Sequence, residues 1–271
     1  MKSKIVLITG CSSGLGQDMA ERMTQDGYTV VATARNLSDI ENIEAALKLP
    51  LDVTSNGSIT NTVNKVVNQY GRIDVLINNA GFAFRCTVED ISDENIQHMF
   101  DVNVFGIIRM IREVVPHMRK QQAGRIINIS SIAGKVVLPV SGAYCASKFA
   151  LEALSDALRL ELAPFGISVI VVEPGNIKTN FMKTVDKNSD KVISDPQSAY
   201  YEFYKKYNSF NDKSRTVEAL PEEVTQIVQK AVGAVKPKVR YMASVPAFNR
   251  LITHCSDTVK DKVIKSLFKI E

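Results

Sequence analysis

Cysteine and histidine are scarce in this chain, and those present are scattered. The four cysteines, Cys11, Cys86, Cys145 and Cys255, form no CxxC pair. In a chain of 271 residues that pattern speaks against a disulfide scaffold and against a structural zinc site. The three histidines, His98, His117 and His254, stand apart, which speaks against a metal-dependent dehydrogenase. Also missing is any run of the ~20 apolar residues needed to cross a bilayer. Met1-Lys2-Ser3-Lys4 has the charge of a signal sequence, but the apolar run from Ile5 to Ile8 is too short for its hydrophobic region. The net charge of +4 comes without a basic block, so nucleic acid is not an expected partner. The expectation is a cytoplasmic chain in a reduced setting, with no transmembrane segment and no metal.

What is present is alternation. Short runs nearly continuous in Val, Ile and Leu occur at Lys4–Thr9, Thr29–Ala34, Asp74–Asn78, Arg125–Ser130 and Ile167–Glu173. Such runs suit parallel strands buried on both faces. Between them lie helix-length segments, among them Gly14–Gln25, Ser58–Gln69, Asp93–Lys120 and Ala143–Ala163. Strand–helix alternation implies right-handed crossovers and a doubly wound α/β sheet of about seven strands. No repeat, low-complexity linker or break in composition divides the chain, so a single domain is expected over residues 1–271. After Pro174 the pattern changes. Thr179–Arg215 reads as polar and irregular, and ends in the aromatic group Tyr200, Tyr201, Phe203, Tyr204, Tyr207 and Phe210. A helix is expected from about Pro221, with Glu222 and Glu223 in its first turn. A short strand at Val239–Met242 and a helical, amphipathic extension from Ala247 complete the chain.

The first strand runs directly into Thr9-Gly10-Cys11-Ser12-Ser13-Gly14-Leu15-Gly16. Glycines at this point permit a tight turn and let backbone approach a pyrophosphate at a helix N-terminus, where free N–H groups favour anions. The spacing Gly-x-x-x-Gly-x-Gly differs from the more common Gly-x-Gly-x-x-Gly fingerprint. A tight turn without ligand is the competing reading. Arg35 sits just beyond the second strand, where the adenosine ribose lies in such folds. An acidic residue there would bind the 2′-hydroxyl of NAD, whereas Arg suits the 2′-phosphate of NADP. The alternative is a solvated surface arginine. Asp52 and Val53, read as the end of a third strand, are placed to border the adenine. Asn78-Asn79-Ala80-Gly81 ends the fourth strand with small residues that allow close approach to a cofactor.

The strongest constellation is Ser131, Tyr144 and Lys148. Tyr144 and Lys148 are four apart on a predicted helix and share a face. A tyrosine with a pKa near ~10 is a poor base at neutral pH. A lysine ammonium beside it would lower that value. Ser131 ends the fifth strand, where open α/β sheets place ligands, and its hydroxyl suits a substrate oxygen. By itself, Tyr-x-x-x-Lys is most often the surface of an amphipathic helix. The strand-end serine and the glycine loop on the same edge favour the chemical reading.

With Thr9–Gly16, Asn78–Gly81, Asn103 in Asn-Val-Phe-Gly, Ser131, Tyr144-x-x-x-Lys148 and Pro174-Gly175 in this order, the chain resembles the short-chain dehydrogenase/reductase family. The resemblance is strong from about Lys4 to Thr179 and weak beyond. It implies that Asn103 completes a catalytic tetrad by bending its helix and holding a water. It implies further that Lys148 binds the nicotinamide ribose and Thr179 the carboxamide, with Pro174, Gly175 and Ile177 along the cofactor. Within the family the chain looks most like retinoid- and hydroxysteroid-type NADP-dependent members, on Cys11-Ser12-Ser13-Gly14, Ala32-Thr33-Ala34-Arg35 and the extended C-terminus. Ser13 departs from the basic residue that some NADP-dependent members carry, so the preference for NADP(H) over NAD rests on Arg35.

These readings converge on hydride transfer between NADPH and a lipophilic carbonyl or alcohol. Tyr144 would act as acid/base and Ser131 would stabilise the oxyanion. Homodimers and homotetramers are usual in the family. Two other classes compete: a cofactor-binding regulator or scaffold without turnover, and a nucleotide-sugar epimerase or dehydratase. Val136–Val140 is expected to line one wall of the substrate pocket. Thr179–Arg215 is expected to form a mobile lid, with an amphipathic helix packed on the flank as its alternative.

Overall fold

Apolar runs on alternate elements leave one economical solution, a parallel sheet covered on both faces. The computed structural model describes residues 3–214 and 218–268, with backbone alone for 210–214. Seven strands form the sheet: β1 (Ile5–Ile8), β2 (Thr29–Ala34), β3 (Leu47–Pro50), β4 (Val75–Asn78), β5 (Gly124–Ile129), β6 (Ile167–Pro174) and β7 (Arg240–Ala243). Their order is β3-β2-β1-β4-β5-β6-β7, and every pairing is parallel. Leu7 is in register with Val31 on one side and Leu76 on the other. The direction of strand progression reverses between β1 and β4, which opens a crevice at the carboxyl ends of the strands.

Period-two alternation explains why the strands are apolar throughout. Val6 and Ile8 face a core with Met19 and Met23 of α1 (Gly14–Gln25) and Val224 and Val228 of α8 (Pro221–Gly233). Ile5 and Leu7 face the opposite core with Val63 of α2 (Asn56–Tyr70), Met110 and Val114 of α4 (Gly106–Gln121) and Leu151 of α5 (Gly142–Leu162). The helix boundaries follow local chemistry. The Ser55 side chain accepts from Ser58 N to start α2, and Gly71 ends it at φ 76°. Ser92 likewise caps α3 (Asp93–Phe100). Pro221 opens α8, with the Glu223 side chain accepting from Leu220 N at 3.1 Å.

Three expectations change. The continuous helix expected over Asp93–Lys120 is interrupted by a π-helical turn at Asp101–Phe105. Asn103 sits inside it, and both ends of its amide are bonded to the backbone of Phe82, which holds the widened turn in place. The third strand ends at Pro50, so Asp52 and Val53 lie in the turn beyond it. Most importantly, Thr179–Arg215 is not irregular. Asn180–Ile193 forms α6 and Tyr201–Ser214 forms α7. Arg215 and the Phe210 side chain lie outside the described residues. Helical spacing puts Tyr200, Tyr204 and Tyr207 on one face, and the many charges that look irregular occupy the other.

That face packs into a third core with Phe84, Cys86, Met99, Val140 and Phe268. The C-terminal extension contributes through α9 (Ala247–Ile252) and α10 (Asp257–Phe268), with the Phe268 ring stacked on Tyr207 at 5.7 Å. Tyr204 is fully buried, accepts from Thr87 N at 3.0 Å and donates to Asp90. Replacing it with Ala should cost about 3–5 kcal/mol in urea unfolding. Tyr204→Phe, which strands the Thr87 amide, should cost about 1–3 kcal/mol. An unchanged unfolding midpoint in both variants would show that this face contributes no packing.

Candidate functional site

The glycine loop is built by steric necessity at the end of β1. Gly10 has φ 74°, and a Cβ there would meet Ala80 Cα at 2.8 Å. A Cβ on Gly16 would meet Gly10 O at 2.1 Å. Gly14 has φ 58° and faces Thr179, whose Cβ is 2.9 Å from the position a side chain would start. Thr9 Oγ1 accepts from Asn79 N and Ala80 N, both at 3.0 Å. Asn79 Nδ2 returns bonds to Thr9 O and Gly10 O at 3.0 and 2.9 Å. Ser12 and Ser13 are exposed, Leu15 is buried in the core, and no side chain caps the N-terminus of α1. Its first N–H groups are therefore open to an anion, and the close backbone leaves the shallow cradle a dinucleotide needs. Residues and cofactor fit.

Other expected cofactor residues lie around this loop. Arg35 follows the last residue of β2, is exposed, and makes no hydrogen bond or ion pair among the described residues. Asp52 accepts from Thr54 N and Oγ1, at 2.9 and 2.7 Å, and so shapes the turn after β3. A Cβ on Gly81 would come within 3.6 Å of Asn103 Oδ1. Pro174 is buried, and Gly175 N bonds to Ala243 O at 3.0 Å. Ile177 bridges to Ala219, and Thr179 caps α6 by accepting from Phe181 N at 3.3 Å.

Ser131, Tyr144 and Lys148 meet where β5 gives way to α5. Ser131 Oγ accepts from Ala133 N at 3.1 Å, and its hydroxyl acts to lower the pKa of the Tyr144 phenol. Lys148 Nζ donates to Ile129 O at 3.0 Å and stands 5.7 Å from the centre of the Tyr144 ring. Asn103 donates to Ser147 Oγ at 3.1 Å, and Ser147 donates on to Tyr144 O at 2.7 Å. Asn103 is thus linked through Ser147 to the Tyr144 backbone, and Lys148 stands beside the Tyr144 ring. In the Val136–Val140 stretch between Ser131 and Tyr144, Val137 is exposed, while Val140 is buried at φ 62°, a strained value for a β-branched residue.

The electrostatics depart from expectation. Burial pushes the Tyr144 phenol up to about 12, against the opposing pull of the Ser131 hydroxyl and the Arg85 cation. Lys148 was expected to lower it, but the ammonium has itself been weakened. Burial brings Lys148 down to about 8, opposed by the negative charge of Glu152.

Arg85 is the residue sequence reasoning missed. It lies in the segment after β4, with its side chain 11% exposed, and it ties α6 and α7 to the site. Its guanidinium is 3.2 Å from Asp186, donates to Met182 Sδ, and lies 5.7 Å from the centre of the Tyr207 ring. Its backbone N–H donates to Ser189 Oγ at 2.7 Å. The available signal was a lone charge in the apolar stretch Phe82-Ala83-Phe84-Arg85.

The state of Lys148 yields a stability prediction. Its folded value lies below the unfolded one, so the associated stability is present at high pH and is lost as pH falls through about 8. At pH 7 the buried ammonium is a net cost. Lys148→Met should raise the unfolding free energy at pH 7, by at most about 3 kcal/mol, and the gain should shrink as pH rises past 8. A variant less stable than wild type at pH 7 would contradict this.

Comparison with known proteins identifies the family. The sequence model of the short chain dehydrogenase family matches residues 4–190. A 3-ketodihydrosphingosine reductase of Bacteroides thetaiotaomicron is 36% identical over 240 residues, covering 89% of this chain and 87% of that protein. Human 17-beta-hydroxysteroid dehydrogenase type 1 is 33% identical over 259 residues, covering 90% and 78%. Among solved structures, a short-chain dehydrogenase from Streptomyces avermitilis superposes with a TM-score of 0.76 at 28% identity, covering 99% of this chain and 96% of that one. With its parallel seven-stranded sheet and glycine loop, this chain belongs to the short-chain dehydrogenase/reductase family of NAD(P)-dependent oxidoreductases.

Proposed function

We propose that this chain is an NADP(H)-dependent reductase that interconverts a carbonyl and an alcohol on a lipophilic small molecule. The observation that carries the reading is the convergence of Ser131, Tyr144 and Lys148 beside the glycine loop, at the carboxyl edge of the sheet. The residues that would hold the dinucleotide are Gly10 and Ser12 to Gly16 at the pyrophosphate, with Arg35, Asp52 and Val53 around the adenosine. Asn79, Ala80 and Gly81 would lie along its middle, with Lys148, Pro174, Gly175, Ile177 and Thr179 at the nicotinamide end. Bound there, the nicotinamide supplies the hydride.

The chain's own residues do the rest. Ser131 Oγ hydrogen-bonds the substrate oxygen and fixes it beside the phenol. Tyr144 donates a proton to that oxygen as negative charge develops on it. Lys148, held by Ile129 O, stabilises the tyrosinate left behind. Asn103 keeps the helix turn around Tyr144 in register through Ser147.

Two observations support the narrower claims. Arg35 is exposed at the end of β2 and has no competing partner among the described residues, which suits a 2′-phosphate. An apolar substrate agrees with Phe181, whose ring centre is 6.5 Å from that of Tyr144, and with the names of the two curated relatives. In this reading α6 and α7 cover the substrate, with Arg85 and Asp186 as their fastening. We read the protein as cytoplasmic, on its free cysteines, and as a homodimer or homotetramer. Exposed Phe149 and Leu160 on α5 are placed for a second copy to cover.

Tyr144→Phe should lower turnover with NADPH and a lipophilic ketone at least ~100-fold, while the NADPH dissociation constant stays within a few-fold. A variant retaining a tenth of wild-type turnover would refute the assignment. Arg35→Asp should swing preference from NADPH toward NADH by more than ~10-fold, because a charge-assisted hydrogen bond contributes about 1.5–3 kcal/mol. Steady-state comparison of the two cofactors reads this, and unchanged selectivity would make Arg35 an ordinary surface residue.

A further inference from the structure

Beside the Ser131–Lys148 group lies a set of buried charges that this chemistry leaves unused. Glu152 is one turn beyond Lys148 on α5, and Glu173 is the residue before Pro174 at the end of β6. They are 5% and 0% exposed. Two cations from separate elements approach them. Lys135 Nζ, from the turn after Ser131, is 3.2 Å from Glu152 Oε2 and 3.7 Å from Glu173 Oε1. Arg240 Nε, from β7, is 3.0 and 3.4 Å from the same two atoms. Its other arm reaches Asp156 at 2.7 Å, which also takes Arg159 at 3.1 Å. Gly134 lies between the cluster and the backbone of Lys148. A Cβ on Gly134 would meet Glu152 Cγ at 3.0 Å, Ser130 Oγ at 3.0 Å and Lys148 O at 3.2 Å.

Donors and acceptors do not balance if both glutamates are ionised. Glu152 Oε2 takes both cations, while Glu152 Oε1 and both oxygens of Glu173 have no hydrogen-bond donor. Leaving three buried carboxylate oxygens without a hydrogen bond, Glu173 Oε1 with only the longer ionic contacts to Lys135 and Arg240, would be costly. One proton resolves this, because a Glu173 carboxyl can donate to the empty oxygen of Glu152. We propose that Glu152 and Glu173 share one proton at neutral pH, and that Glu152 is the positioning residue that keeps the Lys148 ammonium charged. The second half rests on the role assigned to Lys148 above.

Electrostatics agree with the geometry. Burial, then the Glu152 charge, pushes Glu173 up to about 7, while Lys135 and Arg240 pull it down. The Glu152 charge is also what opposes the fall of Lys148. The pair therefore holds a single negative charge one helical turn from Lys148, with Lys135 and Arg240 balancing it from the turn and β7.

Infrared spectroscopy of the wild-type protein tests the proton. A carboxylic-acid carbonyl band should disappear with a midpoint near neutral pH, and it should be absent in Glu173→Gln. Lys135→Met, at a partly exposed position, should move that midpoint to higher pH by removing a cation. No titrating band between pH 5 and 9, or an unmoved midpoint in Lys135→Met, would overturn the shared proton. For Lys148, lysine side-chain NMR with Lys148→Met as the assignment control reads its titration. Glu152→Gln should shift it to lower pH, and Glu152→Asp should restore part of the shift. An unshifted Lys148 in folded Glu152→Gln would remove the positioning role. Neither readout needs turnover, so failure to reduce any carbonyl would count against the proposed function alone.

Discussion

Thr9 and Asn79 join the ends of β1 and β4 at the point where the sheet reverses direction. One hydroxyl accepts two backbone amides, and one side-chain amide spans two backbone carbonyls. The ends of the two strands are thereby drawn so close that Gly10 and Gly16 cannot carry side chains. Closeness of backbone is what makes the crevice a place for a large anionic ligand, since the N–H groups of α1 then face it uncovered. The π-helical turn depends on the same region. Asn103 bonds to Phe82, three residues beyond Asn79, and so links α5 through Ser147 to the end of β4.

Much of this was legible in the sequence, for an identifiable reason. Strands buried on both faces must be apolar at every position, and a glycine loop must fall where backbone meets backbone. Both leave traces in neighbouring residues. What escaped depends on distant residues. Arg85 gains its meaning from Asp186, Met182 and Tyr207, which lie about a hundred residues further on. The helices α6 and α7 were concealed because only one face of each is apolar and the rest is densely charged. The π turn escaped because Asn103 competes for the Phe82 backbone, a partner that no local pattern reveals.

Burial governs the site in two opposed ways. It excludes water and strengthens each charge interaction, yet it also opposes the ionised form of each group. The Tyr144 phenol is driven up and the Lys148 ammonium down. The chain counters this with fixed charges rather than with solvent: Arg85 on the tyrosine side and Glu152 on the lysine side. Each of these is itself balanced, Arg85 by Asp186 and Glu152 by Lys135 and Arg240.

The two balancing groups sit on different parts of the fold, and that difference has a consequence. Glu152 lies on α5, Lys135 in the turn after Ser131 and Arg240 on β7, elements that belong to the sheet or pack on it. Arg85 instead bonds to α6 and packs on α7, outside the sheet. The contact between Arg85 and Asp186 therefore couples the position of α6 to the segment after β4, whereas the Glu152 cluster is held within elements that carry or pack on the sheet.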